Sequence, residues 1–298
     1  MIREKPRDFL QVLKSSVPDA HGLSRTGARD DYAEFYLEYQ TQDRPSTEEV
    51  MIRENLSGVW CSVPESVADR VILFFHGGGF CVGSTVDHLG LCTQLARVTR
   101  SRVFSVDYRL SPENIFPAPV EDALSAYGYL TGHNYLPHHI IPVGISNGAT
   151  LVLDLILLLR ERRLPIPPAA ICMSPFVDMT FGGESITANA ATDWLTVDQL
   201  HEIRTVYYVG KDLRDPLVSP VNANLSGLCP LYLQAGTSEI LFNDIAAFAK
   251  KAKWAGVPVR FEIWEDMFHE WQLFSAEVPE AYLALSRIGT FVQDILNR

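Results

Sequence analysis

The sequence predicts an α/β architecture, a mostly parallel central β-sheet flanked by helices. Three observations carry this. Short apolar runs alternate with longer helical patterns along the chain. The apolar runs lack a clean polar alternation, as strands buried on both faces do. The chain has 298 residues of which 47% are hydrophobic, enough to build a large core.

In chain order the strand candidates are RVILFFH (Arg70–His76), RVFSVDY (Arg102–Tyr108), HIIPVGIS (His139–Ser146), AAICMSP (Ala169–Pro175), LYLQAG (Leu231–Gly236) and VRFEIW (Val259–Trp264). Helical patterns lie between and after them near 87–100, 118–132, 147–163, 240–255 and 277–296. Two regions break the rhythm. Residues 1–50 read as helices carrying Phe9, Tyr32, Phe35, Tyr36 and Tyr39, and residues 180–212 carry Trp194, Tyr207 and Tyr208. Sites in open α/β sheets lie at the carboxyl ends of the strands, so these two regions are expected to meet there as a helical cap. The domain reading is therefore one structural domain: 1–50 an N-terminal helical cap segment, 51–298 the catalytic domain, and 180–212 an inserted second cap segment.

Composition narrows the partners. With 36 acidic and 25 basic residues the net charge is −11, which argues against nucleic acid and anionic membrane. Five scattered cysteines, Cys61, Cys81, Cys92, Cys172 and Cys229, form no CxxC pair and point to free thiols in a reducing compartment. The opening MIREKPRDFL has no apolar core of a signal peptide, and the apolar run Leu151–Leu159 is interrupted by Asp154 and too short to span a bilayer. The expected location is cytoplasmic.

The chemistry centres on GISNGAT (Gly144–Thr150), where a strand candidate turns into a helix candidate. A tight turn there needs neighbours of little bulk. It lifts the Ser146 hydroxyl above the sheet edge, and the helix that follows turns its positive end toward the same spot. A serine hydroxyl needs a base and a place for an oxyanion. HGGGF (His76–Phe80) follows the first strong strand, and its bare glycines can aim backbone N–H groups at one point. The expected oxyanion hole is Gly78, Gly79 and the N–H of Asn147. The base is expected late in the chain, and His269 in WEDMFHEW is the one histidine after His201. The acid is expected between them. Glu239 in QAGTSEILFND follows a strand and opens a helix, while Asp244 five residues on and the earlier Asp215 are weaker alternatives. Glu239, Glu265, Asp266 and Glu270 put negative charge around His269, which is expected to raise its pKa above about 6.5.

HGGGF, DYRLSPENIFPAPVEDA (Asp107–Ala123), the serine turn, SPFVD (Ser174–Asp178), DPLVSP (Asp215–Pro220) and GTSEIL (Gly236–Leu241) together resemble the hormone-sensitive-lipase family of α/β-hydrolases over roughly residues 60–275. The resemblance implies an α/β-hydrolase fold and a cofactor-free, metal-free carboxylic-ester hydrolase with Ser146, Glu239 and His269 as its triad. It departs from the family in several places: the acid is often Asp, where this chain has Glu239, the serine turn usually reads G-D-S-A-G, where it has Ile145 and Asn147, and Glu270 follows the histidine where an apolar or small residue is common. Asp107 and Arg109 are expected to brace loops.

The expected reaction is hydrolysis of short- to medium-chain esters through an acyl-enzyme. A lactone hydrolase using the same triad is the alternative, and a non-catalytic ligand-binding module of the same fold is the alternative from another class. The absence of HExxH, GxGxxG and GxxxxGK[ST] disfavours metal and nucleotide enzymes. No extended interfacial apolar helix suits long triglycerides. Val259–Trp264 with the final helix could supply the edge of a homodimer.

Overall fold

The computed structural model describes residues 6–18, 22–39 and 44–297, so the opening residues of MIREKPRDFL lie outside the described residues. The elements run α1 (Pro6–Ser16), α2 (Ala28–Glu38), β1 (Ser46–Arg53), β2 (Leu56–Ser62), β3 (Val67–Phe75), α3 (Leu89–Thr99), β4 (Ser101–Asp107), α4 (Ala118–Gly132), β5 (Ile140–Ile145) and α5 (Asn147–Glu161). They continue with β6 (Ala170–Met173), α6 (Ser185–Ala188), α7 (Val197–Val206), β7 (Leu231–Gly236), α8 (Phe242–Trp254), β8 (Val259–Trp264) and α9 (Pro279–Leu296).

Among the described residues one sheet forms in the order β1-β2-β4-β3-β5-β6-β7-β8. From β4 to β8 every neighbour pair is parallel, and β1 and β2 are joined antiparallel at one edge. The apolar runs without alternation are accounted for by burial on two faces. In β3, Val71, Leu73 and Phe75 enter the larger core, whereas Ile72 and Phe74 enter a second core. Leu91 and Leu95 of α3 and Leu285, Ile288 and Val292 of α9 cover that second face. The apolar helix α5, with Leu151–Leu155 all buried, lies on the first.

The six strand candidates and five helical patterns of the sequence each correspond to an element. The β1–β2 hairpin is an addition. β1 runs across the segment boundary placed at residue 50, so the N-terminal helical stretch ends before it. Its sequence, STEEVMIR, is exposed at most positions because it is an edge strand, and it lacks the apolar run that marks the central strands. The turn is made at Asn55, which takes a positive φ of 59°.

The peripheral segments touch one another and the sheet. Gln199 Nε2 of α7 donates to Tyr32 Oη of α2 at 2.7 Å, and the backbone N–H groups of Leu23 and Ser24 donate to the Glu202 carboxylate at 3.0 Å each. Phe9 of α1 packs on Phe268 and Phe274 with ring centroids 6.2 and 5.4 Å apart. Helix α7 starts with a reciprocal cap between Thr196 and Gln199. No helix among the described residues is long and apolar enough to cross a membrane.

Candidate active site

Ser146 sits between β5 and α5 with φ 55° and ψ −125°, a strained backbone for a residue with a side chain. Its glycine neighbours are required by close approach. A β-carbon on Gly148 would lie 2.1 Å from the Phe75 carbonyl oxygen, and one on Gly144 would lie 2.3 Å from the Gly148 carbonyl oxygen. The turn is therefore pressed against the end of β3, where HGGGF begins.

The Ser146 Oγ is 2.8 Å from His269 Nε2. His269 Nδ1 is 3.2 Å from Glu239 Oε2, which fits the tautomer that carries its proton on Nδ1. Glu239 Oε1 accepts from the Gly236 N–H at 2.6 Å and from the Ser174 hydroxyl at 2.9 Å. Residues far apart in sequence are thus joined in one hydrogen-bonded line. Each follows the carboxyl end of a parallel strand: Ser146 after β5, Glu239 after β7 and His269 after β8. Asp244 is elsewhere, near Asp178 and Gly183, and Asp215 closes its own turn by accepting from Leu217 N–H.

Burial decides the electrostatics. Glu239 and His269 are 0% and 1% exposed. Burial pushes the Glu239 carboxyl up to about 8, against the pull of the Gly236 N–H and the Ser174 hydroxyl. The His269 pKa is lowered by burial, with Glu270 and Asp193 pulling the other way. This overturns the expectation that surrounding acids raise it. The reason is that Glu265 is exposed and exerts no resolved effect, while loss of water around the ring outweighs the two buried carboxyls.

The glycine loop lies beside the serine. Gly78 has φ 109°, and a β-carbon there would fall 2.2 Å from the Val82 carbonyl oxygen. Among the described residues the Gly78 N–H meets no acceptor. Asn147 is the first residue of α5, so its N–H has no partner within the helix. The Gly79 N–H departs from the expectation of a free donor, because it donates to Asn147 Oδ1 at 2.7 Å. Asn147 Nδ2 in turn donates to Tyr108 Oη at 2.9 Å, and Tyr108 donates to the His76 carbonyl at 2.8 Å. The His76 ring stacks on Tyr108 at 4.2 Å. The polar side chain at 147 therefore ties the glycine loop to the serine turn.

Asp107, Arg109 and His88 brace loops around the site. Asp107 Oδ1 accepts from the Thr85 N–H at 2.7 Å, and Arg109 Nη2 meets the buried Asp122 at 2.8 Å. His88 caps the start of α3, and its Nε2 accepts from the Gly77 N–H at 3.3 Å.

Asp193 and Trp194 are the residues that sequence reasoning missed. Asp193 Oδ1 accepts the His269 backbone N–H at 2.8 Å and Oδ2 accepts the Ile240 N–H at 2.8 Å. Trp194 Nε1 donates to the His269 carbonyl at 2.6 Å. Both backbone polar groups of His269 are thereby held by the insertion. Burial pushes Asp193 up to about 6.

A narrow cavity opens onto Ser146 and His269. The amino-terminal segment lines it with Leu23, Tyr32 and Tyr36, and the insertion lines it with Trp194, Leu195, Gln199 and Ile203. Among the described residues no group of three or more His, Cys, Asp or Glu side chains is arranged to hold a metal ion.

A hydroxyl, an imidazole and a carboxylate in line, beside unpaired amides at the ends of parallel strands, define a hydrolase of the α/β class. Comparison with known proteins agrees. Residues 72–273 match the family described as the alpha/beta hydrolase fold. An acetyl-hydrolase of Streptomyces hygroscopicus is 38% identical over 226 residues, covering 75% of each chain. An esterase of Acinetobacter venetianus is 36% identical over 233 residues, covering 78% of this chain and 77% of its own. A crystal structure of an esterase from the bacterial hormone-sensitive lipase family superposes with a TM-score of 0.92 at 35% identity, over 99% of this chain and 100% of that one. The chain belongs to the α/β-hydrolase fold family, in its hormone-sensitive-lipase branch of bacterial ester hydrolases.

Proposed function

We propose that this enzyme hydrolyses short- to medium-chain carboxylic esters in two steps through an acyl-enzyme on Ser146. His269 Nε2 takes the hydroxyl proton as Ser146 Oγ attacks the ester carbonyl carbon. The tetrahedral oxyanion is held by the N–H groups of Gly78 and Asn147, and Gly79 joins them when the Asn147 side chain moves off its amide. His269 then gives its proton to the leaving alcohol as the carbon–oxygen bond breaks. Water repeats the cycle, releasing the acid and regenerating Ser146. Glu239 orients the ring and stabilises the imidazolium that forms.

The single observation that carries this reading is the Ser146–His269–Glu239 line, with contacts of 2.8 and 3.2 Å. The size preference rests on the narrow cleft at Ser146, walled by the aromatic and branched side chains of Tyr32, Tyr36, Trp194, Leu195 and Ile203. The amino-terminal segment and the insertion serve as the cap, since both line that cavity. A cytoplasmic location rests on five buried, unpaired cysteines. Homodimer formation along β8 rests on its place at the sheet edge with Ile263 exposed, and sedimentation of the purified chain tests it. The reaction itself is tested with Ser146→Ala and p-nitrophenyl butyrate. Turnover falls by at least about 10³-fold, and substantial retained turnover rejects the reading.

A further inference from the structure

Glu270 follows His269 with φ 57°, a turn that sends its side chain inward. It is 1% exposed and lines the same cavity as Ser146 and His269. Its Oε1 has no hydrogen-bond partner among the described residues. Room for that oxygen is made by Gly77. A β-carbon on Gly77 would lie 2.0 Å from Glu270 Oε1 and 3.4 Å from Ser146 Cβ. The first glycine of HGGGF thus has a use separate from the oxyanion, since its own N–H is spent on His88.

A buried carboxyl with one oxygen left without a donor costs more than an apolar side chain of the same shape. No lysine or arginine forms an ion pair with Glu270 among the described residues. The groups that sense its charge are the Ser146 hydroxyl, His269, Glu239, Asp193 and the hydroxyls of Tyr32, Tyr36 and Tyr108. An unsatisfied acceptor at the nucleophile, facing the substrate cavity, is the arrangement of a group that awaits a donor from the ligand.

We propose that Glu270 is a substrate-binding residue that selects esters carrying a hydroxyl group close to the scissile bond. The hydroxyl donates to the Glu270 carboxylate, satisfying an oxygen that the protein leaves bare. Burial pushes the carboxyl up to about 7, so near neutrality it exists in both forms, and a hydroxyl can bond to either. A site built around a buried polar group discriminates strongly against an analogue that cannot pair with it.

This inference rests on the esterase reading, and one experiment separates the two. kcat/KM is measured for two matched pairs, ethyl butyrate with ethyl 3-hydroxybutyrate and ethyl butyrate with 2-hydroxyethyl butyrate. In the wild type at least one hydroxylated ester is preferred by about 10-fold. In Glu270→Leu and Glu270→Val that preference falls by about 10-fold, whereas Glu270→Gln, which keeps a polar side chain, retains most of it. A wild type without preference in either pair overturns the proposal whatever the variants do. So does a preference that survives in Glu270→Leu or Glu270→Val. If Ser146→Ala still turns over these esters, the esterase reading itself fails. If Ser146→Ala is inactive and the ratios are flat, only the role of Glu270 fails.

Discussion

Asp193 accepts the backbone N–H of His269 at 2.8 Å, although 76 residues separate them in sequence. The same carboxylate accepts from Ile240, next to Glu239, so one side chain, Asp193, ties down the loops that carry both His269 and Glu239. Catalysis depends on placement, and an error of about 1 Å can cost about 10²-fold in rate. Asp193→Ala is expected to lower kcat by about 10-fold or more, with Asp193→Asn recovering part of the loss. It also leaves buried N–H groups unpaired, at about 1–3 kcal/mol each. Steady-state kinetics and thermal melts check both, and an unchanged kcat contradicts the positioning role.

Asn147→Ala separates two effects of one side chain. The substitution removes the acceptor from Gly79 N–H and the donor to Tyr108. Two buried hydrogen bonds are lost, so stability is expected to fall by about 1–3 kcal/mol. The Gly79 amide becomes available as a third oxyanion donor, so kcat is expected to hold or rise. A kcat lowered by more than about 10-fold would mean that the side chain is itself needed in the reaction.

Glu239→Gln keeps the shape of the acid and removes its charge. It is expected to lower kcat by about 10²–10⁴-fold, because the amide supports the imidazolium poorly and can impose the wrong ring tautomer. Asp244→Asn, in a carboxyl that faces Asp178 and Gly183, is expected to leave kcat within about 3-fold. The reverse ranking of the two variants would transfer the acid role.

Activity and stability are expected to move in opposite directions with pH. Burial raises the Glu239 carboxyl to about 8, and in the proposed mechanism it acts in its ionised form. kcat/KM therefore rises from pH 6 to about 8.5, as an apparent value of the coupled acid–base pair. Burial lowers the His269 pKa and so works against charging of the ring as the pH falls. For folding, Glu239 and Glu270 (about 8 and about 7) hold protons in the native state that the unfolded chain has already released. The native state binds more protons over pH 6.5–8, so stability is lost as pH rises through it, by on the order of 2 kcal/mol for Glu239. At lower pH the buried His76 and His88, lowered to about 4 and about 3, work the other way. Melting curves at pH 6.5 and 8.5 check the sign. A higher melting temperature at pH 8.5 contradicts it.

Much of the fold was legible because two-sided burial writes continuous apolar runs, as in VILFF and LYLQAG. The β1–β2 hairpin was not, because an edge strand such as STEEVMIR keeps a charged, exposed face. The placement of Ser146 beside the glycine loop was legible because strand–turn–helix geometry demands small residues at fixed offsets, and that of His269 because it is the one histidine after His201. The clamp by Asp193 and Trp194 was not, since it binds backbone atoms and backbone atoms leave no mark in sequence. The occupied Gly79 amide follows from how far an asparagine can reach, a distance set only once β3 and β5 lie side by side. The direction of the His269 shift was misread because counting acids near it in sequence ignores how much water the fold removes.

The most direct test is intact-mass analysis of the protein after exposure to an organophosphonate ester, followed by peptide mapping. The account predicts a single covalent adduct on the Ser146 Oγ, formed rapidly by the wild type and slowed by orders of magnitude in His269→Ala. No adduct at Ser146, or labelling at the same rate without His269, would contradict it.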